Sequence, residues 1–290
     1  MRRGYGIASA TNRTEPLSYN GYLKVPELTS LQLYQSDPPH HDETLFIIIH
    51  QAYELWFKLI LHELDATAAL IERATALGTR SGWRRPLRKA TFYVRRVVAI
   101  QRLLVDQIHI VETMSPKDFL GFRSYLNPAS GFQSSQFREI EILGGLRDRR
   151  LIEHFANEPG TLARLERRWA QPSLADRLYT LLRAHGYDLP EAPPDAPPEA
   201  TRAAEERRLR SLAHLFDDDE GNYALIDLAE ALLEFDEWLT LWRMNHVEVV
   251  ERMIGFKRGT GGSEGVGYLM TTLPKRCFPD LWRLRSYLTA

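Results

Sequence analysis

The chain reads as all-α on three observations. Apolar residues recur at three- and four-residue steps through long stretches. Strand signals are short and never alternate with helices. Proline and glycine gather between the periodic stretches. The first strong helix runs from Asp42 to about Ala76, where Phe46, His50, Tyr53, Phe57, Leu61 and Leu64 share one face. Asp37-Pro38-Pro39 breaks the chain before it, and Asp42 or Thr44 is placed to cap it. A second helix spans about Arg85 to Thr113, with Val97, Ile100, Leu104, Ile108 and Val111 on its apolar face. Shorter helices follow near 116–125, 134–154, 160–169 and 173–185. The proline-rich run Glu191 to Glu199 is an extended linker. It leads into a charged helix from Thr201 to Phe216. The longest helix runs from Asn222 to about Ile254, with Phe235, Leu239, Trp242, His246, Val249 and Met253 on one stripe. The glycine-rich segment Gly259 to Gly267 ends it, and a terminal helix covers about 279–288. We read residues 1–290 as a single domain with a variable proline-rich linker at 186–200.

Bulk properties narrow the function. Hydrophobic residues make up 44% of the 290, enough for a substantial core. With 37 Lys and Arg against 38 Asp and Glu, the formal charge of −1 gives no sign of a nucleic-acid partner. The single cysteine, Cys277, excludes an intrachain disulfide and a multi-cysteine metal site. No apolar stretch follows Met1-Arg2-Arg3, and runs such as Leu45 to Ile49 are too short to span a bilayer. The expectation is a soluble intracellular protein with no membrane partner.

The richest segment is Gly121 to Arg138. It sets Arg123 and Arg138 among Phe122, Tyr125, Phe132 and Phe137, around an Asn-Pro-Ala-Ser-Gly turn. A buried guanidinium is costly unless an anion pairs with it, so an arginine among rings suits a carboxylate joined to a flat apolar group. His50 and His246 each lie on the apolar stripe of a long helix. A core-facing histidine commonly makes a structural hydrogen bond, but a buried neutral imidazole is also a good iron or zinc ligand. His-Glu-x-x-His is absent, and so are the Glu-x-x-His pairs of a di-iron bundle. An iron held by one histidine needs its remaining ligands from elsewhere, and haem supplies four. Gly259 to Gly267 lacks the Gly-Lys-Ser/Thr ending of a phosphate loop; it is either a flexible loop or a mobile flap. Tyr19-Asn20-Gly21-Tyr22-Leu23 cannot form a core of its own and must pack on its domain or on a neighbour. His40-His41 sits in a proline-led turn and reads as surface or capping residues.

Together these pieces resemble the tryptophan 2,3-dioxygenase family. The resemblance rests on Tyr19-x-x-Tyr22-Leu23, His40-His41-Asp42-Glu43, Phe46 through Gln51, and Glu54-Leu55-Trp56. It continues through Phe122-Arg123, Ser130 through Ser134, Trp242-Arg243-x-x-His246 and Gly259 through Ser263, in the family's order from about residue 17 to the end. It implies a cytoplasmic, all-helical, intertwined homotetramer with one haem b per subunit. That enzyme would use O2 to open the indole C2–C3 bond of L-tryptophan, giving N-formyl-L-kynurenine, the first step of tryptophan catabolism by the kynurenine route. By resemblance, His246 is the proximal iron ligand and His50 the distal histidine that accepts the indole N–H. Arg123 matches the carboxylate-binding residue and Thr260 the contact to the ammonium or carboxylate end. By the same resemblance, Phe46 and Phe119 match residues that wall the indole, and Ser130 and Gly131 match the small-residue turn near the haem edge. Tyr19, Tyr22 and Leu23, within the 1–40 segment, are expected to reach a neighbouring subunit's pocket. Some members carry tyrosine where this chain has Phe119, which removes a hydrogen bond to the carboxylate and leaves more to Arg123. Glu264 adds a negative charge inside the flap, and we expect it to face solvent. Arg138 is left with a structural role.

Overall fold

A computed structural model describes residues 16–259 and 265–288, so Thr260 and Glu264 lie outside the described residues. Helices α1 (Tyr19–Leu23) and α2 (Val25–Leu28) lead to the long α3 (Glu43–Leu77), and α4 (Arg84–Val111) returns beside it. Helices α5 (Pro116–Arg123), α6 (Ser135–Gly144), α7 (Arg150–Glu153), α8 (Pro159–Trp169), α9 (Leu174–Ala184) and α10 (Pro198–Ala213) carry the chain back across the molecule. The second core helix, α11 (Asp219–Ile254), is followed by α12 (Val266–Met270) and α13 (Pro279–Arg283). No strand occurs among the described residues, and the protein is all-α.

Contacts between side chains fix the directions of the three long helices. Tyr53 Oη donates to the Leu104 carbonyl and Arg96 pairs with Glu63, so α3 and α4 are antiparallel. Arg95 pairs with Asp227 and Arg102 with Glu234, one heptad further on both helices, so α4 and α11 run parallel and in register. It follows that α3 and α11 are antiparallel. Between them lies the main core, including Leu61, Leu64 and Ile71 from α3, Leu87, Val94 and Val97 from α4, and Leu228, Leu232 and Phe235 from α11. A smaller cluster of Ile108, Met114, Phe122, Val249 and Met253 gathers at the far end of α4.

Some boundaries differ from the sequence reading, each for a local reason. The helix expected at 134–154 stops at Gly144, because Gly145 turns at φ 136° and a side chain there would meet the Cys277 carbonyl at 2.8 Å. The helix expected from Thr201 begins at Pro198, since proline fits the first turn where its missing N–H is not needed. Asp42 stands at the N-cap position of α3 and its carbonyl accepts from Phe46 N at 3.1 Å, but its side chain makes no cap bond, and the Thr44 hydroxyl contacts Tyr34. By length and composition α3 could cross a membrane, although only 28% of its most apolar window is buried here. Its open side includes Ile48 and Leu55.

Buried Asp236 ties the C-terminal segment to α11. Its carboxylate accepts from Cys277 N (2.9 Å), Phe278 N (3.1 Å) and Trp282 Nε1 (3.0 Å). Removing it strands three donors away from water, each costing about 1 to 3 kcal/mol. We therefore expect Asp236→Ala to lower unfolding free energy by about 3 kcal/mol or more, measured by urea denaturation.

Candidate active site

The site begins with a buried acid. Glu43, at the first turn of α3, accepts from Gln35 N (2.6 Å), Ser36 N (3.1 Å) and the Ser36 hydroxyl (2.5 Å). Burial raises its pKa, but those donors outweigh it and the net shift is downward. Ser36 Oγ in turn accepts from His40 N at 2.9 Å. The segment before α3 is thereby folded against the helix, and the His40 ring packs at a tilt 5.3 Å from Phe122 of α5. The approach is close: a side chain at Gly121 would meet the His40 ring at 3.1 Å. The sequence reading gave His40 and His41 surface or capping roles: His41 is exposed and the His40 carbonyl accepts from Glu43 N at 3.2 Å, but the His40 ring packs into the wall of the site.

That docking brings α5 onto the start of α3 and assembles a cluster of rings. Phe46 lies 5.5 Å from Phe119 and 5.8 Å from Phe122, and Phe119 meets Phe122 edge-on at 5.5 Å. His50, one turn along α3, packs 4.1 Å from Phe46, and its Nδ1 lies 2.7 Å from the Phe46 carbonyl. A carbonyl only accepts, so Nδ1 carries the proton and Nε2 keeps a free lone pair. Burial lowers the His50 pKa, more than the Phe46 carbonyl and Glu54 raise it. The ring is surrounded by protein, yet the residue opens substantially to free space, which places it on the wall of a hollow.

The opposite wall comes from α11. Tyr53, three residues past His50, meets Trp242 at 6.1 Å, and Trp242 stacks on His246 at 5.0 Å and 17°. Because α3 and α11 are antiparallel, their contact at Tyr53 and Trp242 sets His50 and His246 facing across the next turn. His246 is held neutral, its pKa lowered to about 4 by burial first, then by the nearby His50 and Arg138. Among the described residues none hydrogen-bonds to the His246 ring nitrogens. Phe137 lies 4.8 Å from Trp242 and links this wall to the turn that holds Ser130 and Gly131. Ser130 caps that turn by accepting from Phe132 N at 3.3 Å.

Arg123 shares a face of α5 with Phe119, four residues earlier. One of its terminal nitrogens donates to the Arg258 carbonyl at the edge of the glycine-rich segment. No carboxylate among the described residues pairs with it, so a guanidinium stands at the rim of a ring-lined hollow with donors to spare.

The sequence of this arrangement matches the tryptophan 2,3-dioxygenase family model over residues 7–186 and 203–288. The chain belongs to that family. The intervening gap contains the proline-rich segment between α9 and α10. A protein named tryptophan 2,3-dioxygenase from Nocardioides sp. is 46% identical over 274 residues, covering 94% of this chain and 95% of its own. One so named from Herpetosiphon aurantiacus is 42% identical over 95% of this chain and all of its own length. Another from Myxococcus xanthus is 36% identical over 94% of this chain and 90% of its own.

Members of such a family use haem, and these residues fit one. No group of three metal-ligating side chains occurs among the described residues, so an iron here would depend on ligands that come with its own macrocycle. Neutral His246 could serve as the single protein ligand to its iron, and space remains open beside Gly131, where an added Cβ would meet nothing within 4 Å. Phe46, His50, Phe119 and Arg123 come together on the α3–α5 side and His246 on α11, while Ser130 and Gly131 lie in the turn just before α6. Tyr19, Tyr22 and Leu23 do not join them: they are 75%, 63% and 44% exposed. The sequence reading gave no role to Trp242 as the partner stacked on His246, although its four-residue spacing from that histidine was a usable signal.

One outcome follows for His50. At pH 7 its ¹⁵N shifts should show a protonated Nδ1 and an unprotonated Nε2, in a diamagnetic form of the protein. Because burial lowers its pKa, the ring should stay neutral until pH falls below the ordinary value of about 6.5.

Proposed function

We infer that the chain is a haem-dependent dioxygenase that inserts both atoms of O2 across the indole C2–C3 bond of L-tryptophan, forming N-formyl-L-kynurenine. The observation that carries this reading is the pair of neutral histidines facing across a hollow, with phenylalanine rings at one wall and an unpaired arginine at its rim. The enzyme works in the cytoplasm as a homotetramer with one haem b per subunit.

His246 would hold the haem iron, and Ser130 and Gly131 would flank the macrocycle. Haem, when bound, supplies the iron chemistry that activates O2. The remaining work is positioning. Arg123 takes the substrate carboxylate with a planar pair of N–H donors, and Thr260 reaches the same end from the flap. Phe46 and Phe119 fix the indole plane, which Phe119 does without adding a hydrogen bond of its own. The His50 Nε2 lone pair accepts the indole N–H and sets which edge of the ring faces inward. Exclusion of water by the ring cluster strengthens each of these polar contacts.

Tyr19, Tyr22 and Leu23 close the pocket of a neighbouring subunit. Their exposure, together with that of Leu31, Leu33, Ile48 and Leu55, supports cover by another copy.

The test is direct. Purified protein should show a haem Soret band, convert L-tryptophan and O2 to N-formyl-L-kynurenine, and sediment as four chains. His246→Ala should lose the Soret band as well as turnover; a bound haem that survives this change unaltered would remove His246 as the ligand. With a pKa near 4, His246 stays unprotonated where a free imidazole would already be half charged, so acid competes for its lone pair only at low pH. The Soret maximum should accordingly hold steady from pH 8 down to about pH 5.

Arg123→Leu should weaken L-tryptophan binding by about 2 kcal/mol or more, roughly thirtyfold, as the carboxylate loses its partner. The Soret band should be retained. An unchanged KM would exclude Arg123 from the pocket.

A further inference from the structure

Behind the wall that carries His246 lies a charge cluster without a function in the scheme above. Arg138 and Arg243 share one carboxylate, that of Glu141, at 2.5 and 2.8 Å. All three residues are buried, at 8%, 3% and 3% exposure. Two cations on one anion leave a positive excess where the dielectric is low. Arg243 also donates to the Lys275 carbonyl at 3.2 Å, which adds no anion. The other charges around the cluster do not cancel it. Asp236, seven residues before Arg243 on α11, keeps its negative charge, but Lys275 and Arg150 share the single carboxylate of Asp148 and offset it, while Glu139 is paired with Arg164 and Arg168.

Buried clusters of this kind are a poor way to gain stability, because desolvation offsets the attraction and apolar replacements often do as well. Its position suggests another use. Arg243 precedes His246 by three residues on α11. Arg138 lies 5.1 Å over the Phe137 ring, Phe137 is 4.8 Å from Trp242, and Trp242 is 5.0 Å from His246. Rings fill this path, so the interaction is not screened by water along it. The Arg138 charge is felt at the His246 ring, behind burial and His50 in effect.

We propose that the Arg138–Glu141–Arg243 cluster is a fixed positive charge behind His246 that biases the haem iron toward its ferrous form. The inference rests on His246 being the iron ligand. When the electrode delivers one electron to a ferric haem bound here, the charge of the site would fall by one. A nearby buried cation opposes the ferric state more than the ferrous one and raises the midpoint potential. Arg138 and Arg243 are thus positioning residues for charge, with no contact to substrate required.

Spectroelectrochemical titration of the haem-loaded protein tests this. Arg138→Met should shift the midpoint to lower potential. Arg138→Lys keeps the charge while losing the planar contact with Phe132 and Phe137, and should stay close to the parent value. Glu141→Gln removes the anion and should shift the midpoint the opposite way, upward. If Glu141→Gln does not fold, the Arg138 pair still decides. Equal midpoints for the parent and Arg138→Met would overturn the proposal, as would an equal shift in Arg138→Lys, which would assign the effect to packing. A parent protein without a Soret band would instead defeat the functional reading itself.

Discussion

The geometry of the site depends on one contact, between Tyr53 of α3 and Trp242 of α11. Tyr53 is buried, its hydroxyl donates to the Leu104 carbonyl of α4 at 2.5 Å, and burial pushes its phenol up to about 12. One residue therefore joins all three long helices at a single level. On one side of it the helices pack as core; one turn beyond it on the other the side chains are His50 and His246, and His50 is open to free space. Had α3 and α11 been parallel, Tyr53 and Trp242 could touch without bringing both histidines to the same side of the contact. The antiparallel arrangement makes the two rings opposite walls of one space.

That arrangement in turn requires α4 and α11 to run parallel, although the chain between them must cross the whole molecule. The pairs Arg95–Asp227 and Arg102–Glu234 lie near the surface, and each contributes little energy. Their value is in register, since a slip of one residue would turn the stripe of Phe235, Leu239 and Trp242 off the core. The energy that holds the register comes from apolar burial, about 25 cal/mol for each Å² removed from water. Gln101 adds a buried polar tie, donating to the Phe235 carbonyl at 3.1 Å.

Much of this was legible in the sequence, and the limits have physical causes. Helical spacing located α3, α4 and α11 to within a few residues, because a stripe of apolar residues must face a core whatever the topology. The same spacing put His50 and His246 on core faces. It could not say that the faces oppose each other, because that follows from the parallel course of α4 and α11, which local pattern does not encode. Resemblance to the family supplied the roles that spacing left open. The place of the His40 ring in the wall was not legible because a proline-led turn looks solvent-facing until Glu43 is seen to fold it inward. The triad of Arg138, Glu141 and Arg243 was invisible for a similar reason: Glu141 and Arg243 are far apart in sequence, and only the packing of α6 against α11 unites them.

The charges of the site are sorted by depth, and the sorting explains why each group can do its task. Among the described residues the titratable groups facing the hollow include two imidazoles, both kept neutral by burial, so each ring keeps a nitrogen lone pair. A carboxylate-bearing ligand could not be held there without a cation, and placing that cation inside would strip it of water at high cost. Arg123 stands at the rim instead, tethered to the Arg258 carbonyl and still half open, where its desolvation is incomplete until a carboxylate arrives. The cations that are fully buried, Arg138 and Arg243, lie behind the wall with Glu141 between them, close enough to act through space and unable to reach the ligand. Among the described residues, neutral groups at the centre, an available cation at the edge and fixed charge in the scaffold form an arrangement suited to an apolar ring deep inside with its charged end where charge is affordable.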